Sequence, residues 1–160
     1  MGKSGEYSQI MERNLFKGQF TYSIDSKSRI SIPAKIRKHI SPDANDTIVM
    51  TKGLSSCIDL YPLDEWQKIE EKLLKLNQFQ PDELRFIRMF VQYAHEDVMD
   101  AQSRILIPQM LIDYAKIEKE VLIIGALRKI EVWNPKIYEE YLKQSPLTYE
   151  EIAAKVMTGE

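Results

Sequence analysis

Residues Asp25-Ser26-Lys27-Ser28-Arg29-Ile30-Ser31-Ile32-Pro33 return 75 positions later as Asp100-Ala101-Gln102-Ser103-Arg104-Ile105-Leu106-Ile107-Pro108. The two stretches are identical at six of their nine positions. A repeat at this distance in a chain of 160 residues indicates that one structural unit was duplicated. We therefore expect two related halves, each built around one copy of this stretch.

Each copy predicts a tight turn that leads into a β-strand. A polar tripeptide separates an acid from an arginine, and apolar residues then alternate until a proline ends the run. A three-residue hairpin loop usually has glycine in the left-handed region at its last position, where this chain has Ser28 and Ser103. A serine there should cost about 1 kcal/mol relative to glycine. Across the loop, Asp25 is expected to pair with Arg29 and to accept hydrogen bonds from the turn amides.

A short basic helix is predicted after the first strand, over residues 34–40. Ile36 and Ile40 share one face of this helix, and Lys35 and Lys38 share another. The first unit therefore has a basic turn, which contains Lys27 and Arg29, followed by a basic helix. The basic residues of this helix are Lys35, Arg37 and Lys38. Four of the matching positions in the second unit are neutral, apolar or acidic: Gln102, Met110, Ile112 and Asp113. The two halves are expected to share a fold and to differ in task.

The distribution of charge supports a binding role for the first unit. The net charge is −2, but residues 1–40 carry eight Lys or Arg against three Asp or Glu, and residues 41–160 carry 14 against 21. A basic surface on an acidic body is typical of a nucleic-acid binder that makes contact through one face. The alternative is an ordinary scatter of surface charge.

The composition is that of an ordinary soluble protein, and no motif indicates an enzyme or a cofactor. The chain contains no run of about 18 apolar residues and no apolar signal segment at its start, so we place it in the cytoplasm. Cys57 is the one cysteine and is interpreted as a buried core residue. His39 and His95 have no metal-ligand spacing, and no nucleophile motif or phosphate-binding glycine loop is present. We expect no metal site.

The predicted organisation has five segments. Alternating and β-branched stretches predict strands at 15–24, 29–32, 47–51, 57–61, 121–124 and 130–133. Helices are expected to start at Asp64 as N-cap, at Pro81, at Asn134-Pro135 and at Thr148. The segments are a flexible leader at 1–13, a first unit at 14–62, a linking helical pair at 63–92, a second unit at 93–143, and a C-terminal helix or tail at 144–160.

The paired Asp-x-x-x-Arg motifs, each followed by Ile-Pro and a short helix, resemble those of the MraZ family of bacterial transcriptional regulators. The resemblance covers about residues 14–143. One departure concerns Ser28 and Ser103, because the family usually has glycine before each motif arginine. Other matching stretches are Phe16-Lys17-Gly18, Ser31-Ile32-Pro33-Ala34-Lys35, Tyr61-Pro62 before Trp66, Arg88 with Phe90 and Ala94, Ile124-Gly125, and Glu131-Val132-Trp133.

The resemblance implies an α+β fold in which two tandem AbrB-like swapped-hairpin units form a pseudo-symmetric β-barrel core with flanking helices. It also implies a ring-shaped homo-oligomer that binds short G-rich direct repeats in double-stranded DNA, in the promoter of the division and cell-wall gene cluster, as a nucleoid-associated repressor. The alternatives are another AbrB-like DNA-binding protein, such as an antitoxin, or a scaffold or ligand sensor without this operator.

Residue roles follow from combining this resemblance with the charge pattern. Arg29 is predicted to contact a guanine edge, and Asp25 to orient Arg29. Asp100 and Arg104 are predicted to support the second turn. Met110 and Ile112 are candidates for packing against a neighbouring subunit. Four residues are predicted to contact phosphates: Lys27, Lys35, Arg37 and Lys38.

Overall fold

The structure is a computed structural model that describes residues 14–158, so the predicted leader at 1–13 lies outside the described residues. The strands are β1 (Gln19–Ser23), β2 (Arg29–Ser31), β3 (Thr47–Lys52), β4 (Ile58–Pro62), β5 (His95–Val98), β6 (Arg104–Leu106), β7 (Glu120–Ala126) and β8 (Lys129–Trp133). The helices are α1 (Ala34–Arg37), α2 (Leu63–Leu74), α3 (Pro81–Val91), α4 (Gln109–Ala115), α5 (Pro135–Lys143) and α6 (Tyr149–Met157), with a 3₁₀ turn at Pro42–Ala44.

The strands form two antiparallel sheets. The larger has six strands in the order β1-β7-β8-β4-β3-β5, and the smaller pairs β2 with β6. This arrangement confirms the predicted α+β class. The hydrogen-bonded strands of residues 14–158 do not join into one closed sheet, so the predicted barrel is not confirmed.

The two halves exchange strands. The predicted strands at 15–24 and 29–32 lie on either side of the first hairpin loop, so the sequence alone suggests that they pair as its two arms, but β1 pairs with β7 and β2 pairs with β6. In the same way, β5 of the second half pairs with β3 of the first. The direct pairing of these two arms was therefore wrong beyond the loop itself, and the strand exchange agrees with the swapped hairpins that the family resemblance implies. The pairing of β2 with β6 places Ile30 opposite Ile105, and both side chains are buried there, which stabilises the exchanged arrangement.

A pseudo-twofold axis relates the halves. It passes between β4 and β8, where Asp59 lies opposite Glu131, and between β2 and β6, where Ile30 lies opposite Ile105. Buried side chains from both halves form one apolar core around this axis, including Phe16, Ile36, Met50, Leu60, Leu111, Ile123 and Val132. Neither half thus has a complete core of its own.

The helix starts follow their local sequence with one exception. The side chains of Gln80, Asn134 and Thr148 cap α3, α5 and α6, as their positions indicate. The prediction for Asp64 is wrong, because α2 already begins at Leu63 after Pro62, and Asp64 lies in the first turn. No helix between residues 14 and 158 is both long and apolar enough to cross a lipid bilayer.

Candidate nucleic-acid interface

The first turn is organised by the carboxylate of Asp25. The backbone N–H groups of Lys27 and Arg29 both donate to Asp25 Oδ1 at 2.9 Å, and Arg29 Nε donates to Asp25 Oδ2 at 2.9 Å. The hydrogen bond from the Arg29 backbone N–H is the main cause that holds the pKa of the Asp25 carboxyl below its usual value. Ser28 has a φ of 61°, in the left-handed region that the loop pattern predicts.

The second turn repeats this geometry. Asp100 Oδ1 accepts hydrogen bonds from the Gln102 and Arg104 backbone N–H groups at 2.9 and 3.0 Å, and Asp100 Oδ2 accepts from Arg104 Nε at 2.9 Å. Ser103 has a φ of 60°. The turn is therefore a property of the repeated sequence and does not depend on the charge of its middle residue.

The two turns lie side by side because β2 and β6 are paired. Ser31 lies opposite Arg104, and Arg104 Nη1 lies 3.9 Å from Asp25 Oδ2. The Arg29 and Arg104 side chains keep 29% and 27% of their surface exposed, so each guanidinium is held by the protein and still reaches solvent. Arg104 thus supports the first turn as well as its own.

The basic helix α1 lies directly after β2. Ile36 is fully buried and anchors this helix, which leaves Lys35 and Lys38 exposed. Arg37 is exposed too, and its Nη1 donates to the Ile32 carbonyl at 3.1 Å. Lys27 is exposed at the turn. The structure leaves all four predicted phosphate-contacting residues in contact with solvent, with Arg37 also holding the chain before the helix.

Sequence reasoning missed Lys17 as a member of this basic surface. Lys17 is exposed and lines a shallow cavity together with Lys35, Lys38 and His39. These residues come from two segments that the sequence separates by the whole first strand and turn. The sequence motif Phe16-Lys17-Gly18 was the one available signal, but it does not indicate where the lysine lies.

The two interface candidates on α4 differ in exposure. Met110 is 45% exposed and remains available to a neighbouring subunit. Ile112 is only 8% exposed and belongs to the apolar core of its own chain. The helix places Leu111, Ile112 and Ala115 inward, so the interface prediction is corrected for Ile112.

A buried charged group lies at the pseudo-twofold axis. The ligand atoms of Cys57, Asp59 and Glu131 lie within 4.8 Å of one another, a spacing that could hold a metal ion and that the sequence did not indicate. Lys129 Nζ, however, lies 3.0 Å from Asp59 Oδ2 and 3.3 Å from Glu131 Oε2. Burial also raises the pKa of the Cys57 thiol, which disfavours the thiolate that binds metals. The group is therefore interpreted as an internal ion pair.

Comparison with known proteins matches nearly all of the chain to one protein family. The family model described as "MraZ protein, putative antitoxin-like" matches residues 15–89 and again residues 90–158. A protein named transcriptional regulator MraZ from Caldanaerobacter subterraneus is 44% identical over 139 residues, which cover 87% of this chain and 94% of that protein. Proteins of the same name from Clostridium tetani and Natranaerobius thermophilus are 40% and 38% identical, each over 89% of this chain and over 96% and 97% of their own length.

Proposed function

The chain belongs to the MraZ family, and the relatives that it resembles are named as transcriptional regulators, not as enzymes. We therefore propose that it is a DNA-binding regulator of transcription. The observation that carries this proposal is the fixed arginine at the first turn. Asp25 holds Arg29 by its Nε atom at 2.9 Å, at the tip of an exposed basic surface. An arginine held in this way loses little conformational entropy when it binds.

Arg29 is proposed to read a guanine in the major groove. Its Nε atom is bound by Asp25, so the two terminal nitrogens are the atoms that meet the O6 and N7 acceptors of guanine. The neighbouring lysines and Arg37 are proposed to contact phosphates, which fix the position of the protein without reading sequence. The turn and helix α1 then divide recognition and positioning between them.

The operator is proposed to consist of short G-rich direct repeats upstream of the protein's own gene, within the division and cell-wall gene cluster, where the protein acts as a nucleoid-associated repressor. One basic turn offers few phosphate contacts, and its affinity at cellular salt would be low. A ring-shaped homo-oligomer that presents several turns to several repeats would raise the effective affinity without any new type of contact.

The second half is proposed to take part in assembly. Leu106 and Met110 are 48% and 45% exposed there. Met110 stands at the position that matches Lys35, and the acidic Asp113 stands at the position that matches Lys38. A Met110→Lys variant is expected to lower the particle mass in light scattering, because it places a charge in an apolar contact. A mass equal to that of the unaltered protein would remove Met110 from the interface.

The test of DNA recognition compares Arg29→Ala with Lys35→Ala and with the twin variant Arg104→Ala. Footprinting on the DNA upstream of the gene locates the site, and binding is then measured on that duplex and on a scrambled duplex. Arg29→Ala should bring the two affinities together, while Lys35→Ala should weaken both and reduce the salt slope by about 1. Arg104→Ala, which removes a guanidinium 3.9 Å from Asp25 Oδ2, should keep a reduced preference, because Asp25 still binds Arg29 through its Nε atom at 2.9 Å. If Arg29→Ala keeps the full preference for the site, the assignment of Arg29 fails.

A further inference from the structure

The basic surface extends into a cavity beside α1. This cavity has a volume of about 400 Å³ and is lined by Lys17, Lys35, Lys38, His39, Leu15, Gly18, Gln19 and Phe20. We infer that it binds one backbone phosphate of the DNA duplex, and that Lys17 is its principal ligand. This inference rests on the proposed function, and it adds to the interface a residue outside the turn and helix.

The lining has the charge of an anion site. Three lysines line the cavity, and among the described residues no Asp or Glu does. Lys17, Lys35 and Lys38 are exposed, so their ammonium groups are open to a large polyanion such as duplex DNA. A phosphate that enters the cavity meets positive charge from two separate segments of the chain, which favours binding of the anion over that of a neutral group.

Lys17 stands on a segment that is fixed on both sides. Phe16 N donates to the Leu127 carbonyl at 2.8 Å, and Leu127 N donates back to the Phe16 carbonyl at 2.9 Å. On the other side of Lys17, Gly125 N donates to the Gly18 carbonyl at 2.9 Å. The main chain of Lys17 is therefore ordered before any ligand binds, and only its side chain must be restrained on binding.

The equivalent place in the second half has changed its chemistry. Positions 75 residues after Leu15, Lys17, Gly18 and His39 are Phe90, Gln92, Tyr93 and Tyr114, and all four line a cavity of about 410 Å³. Lys52 is the lysine of that cavity, and its Nζ lies 3.8 Å from the centre of the Tyr93 ring. The shared scaffold therefore does not require the lysines of the first cavity, which favours a role in binding for them.

The cavity lies away from the bases that Arg29 is proposed to read. Lys17 lies before β1, and the first turn lies after β1. The five residues of this strand, about 17 Å in length, therefore separate Lys17 from the turn. That distance exceeds the major-groove width of about 12 Å. The phosphate bound at Lys17 would therefore flank the recognised base pairs, and its contribution should be independent of sequence.

The experiment compares Lys17→Gln with Lys155→Gln, which removes the same charge from the exposed surface of α6. Binding is measured by fluorescence anisotropy on the footprinted duplex and on a scrambled duplex, over a range of salt concentrations. Loss of one phosphate contact should weaken both duplexes about eightfold at 0.1 M salt per bound protomer, and lower the salt slope by about 0.9. Lys17→Arg should bind as the unaltered protein does, and Lys155→Gln should have no effect.

The outcomes separate the two proposals. If the unaltered protein prefers its site and Lys17→Gln behaves like Lys155→Gln, the phosphate pocket is wrong and the proposed function stands. A loss confined to the footprinted duplex would also overturn the inference, because a phosphate contact carries no sequence information. If the unaltered protein binds neither duplex, both proposals fail. Thermal unfolding of each variant verifies that the exposed substitutions leave the fold intact.

Discussion

Replacing Gly125 by alanine is expected to destabilise the protein and to weaken DNA binding through one added methyl group. A Cβ at Gly125 would overlap Lys17 N, and it would lie 2.6 Å from Phe16 C and 2.8 Å from Lys17 Cα. These are main-chain atoms, so no change of rotamer can relieve the contacts. The backbone of Gly125 is not in the left-handed region, and the cost therefore arises from overlap alone.

The magnitude follows from what must move. Inserting an extra methyl group into a packed site typically costs about 1 to 3 kcal/mol. The shift would also stretch the hydrogen bonds that join Phe16 to Leu127 and Gly18 to Gly125, each of which contributes about 1 kcal/mol. We therefore expect a loss of about 3 kcal/mol in unfolding free energy, or a fall in Tm of about 6 to 12 °C for a chain of this size.

Urea unfolding and calorimetry measure the loss, and anisotropy below the Tm measures DNA binding by the folded variant. Gly53→Ala is the matched comparison, because the nearest atom to its added Cβ is the side-chain Sγ of Cys57, at 2.6 Å. Removing that sulfur with Cys57→Ala should restore part of the stability of Gly53→Ala. An unfolding free energy for Gly125→Ala within about 0.5 kcal/mol of the unaltered protein would refute the reasoning.

Two further predictions concern the turns and the buried ion pair. Ser28→Gly and Ser103→Gly should each raise the unfolding free energy by up to about 1 kcal/mol in urea titrations, since both serines have positive φ, and a loss on either substitution would contradict this. Lys129→Met should cost about 3 kcal/mol, because it leaves the 3%-exposed Asp59 side chain without its cation. Burial raises the pKa of Asp59, so the folded carboxyl holds its proton more tightly than the unfolded one, and this variant should regain stability as the pH falls. Equal losses at pH 7 and pH 5, and no recovery in Lys129→Met with Asp59→Asn, would argue against this role.

The sequence predicted the features that depend on neighbouring residues. The positive φ of Ser28 and the hydrogen bond from Arg29 to Asp25 could be predicted from residues 25–33 alone, because neighbouring residues determine a tight turn. Pairing partners could not be predicted in this way, since β1 finds β7 at the other end of the chain. Lys17 was missed for the same reason, because its position depends on contact with Gly125. The interface role of Ile112 was predicted from its correspondence to Arg37, which is exposed, and that correspondence did not indicate that α4 places Ile112 inward.

The strand exchange explains why the second half keeps its turn after losing its charge. Under the pseudo-twofold axis, β1 pairs with β7 as β5 pairs with β3, and β2 pairs with β6. Removing the second half would leave β1 and β2 without partners and would expose Ile30, which is 1% exposed in the intact chain. The strand exchange does not require particular side chains at positions 102 and 110, because Gln102 and Met110 are both exposed. Asp100 and Arg104 are required, because their ion pair forms the turn that places Arg104 Nη1 3.9 Å from Asp25 Oδ2. The second turn therefore acts on the first through its geometry, and its surface is free to take another role.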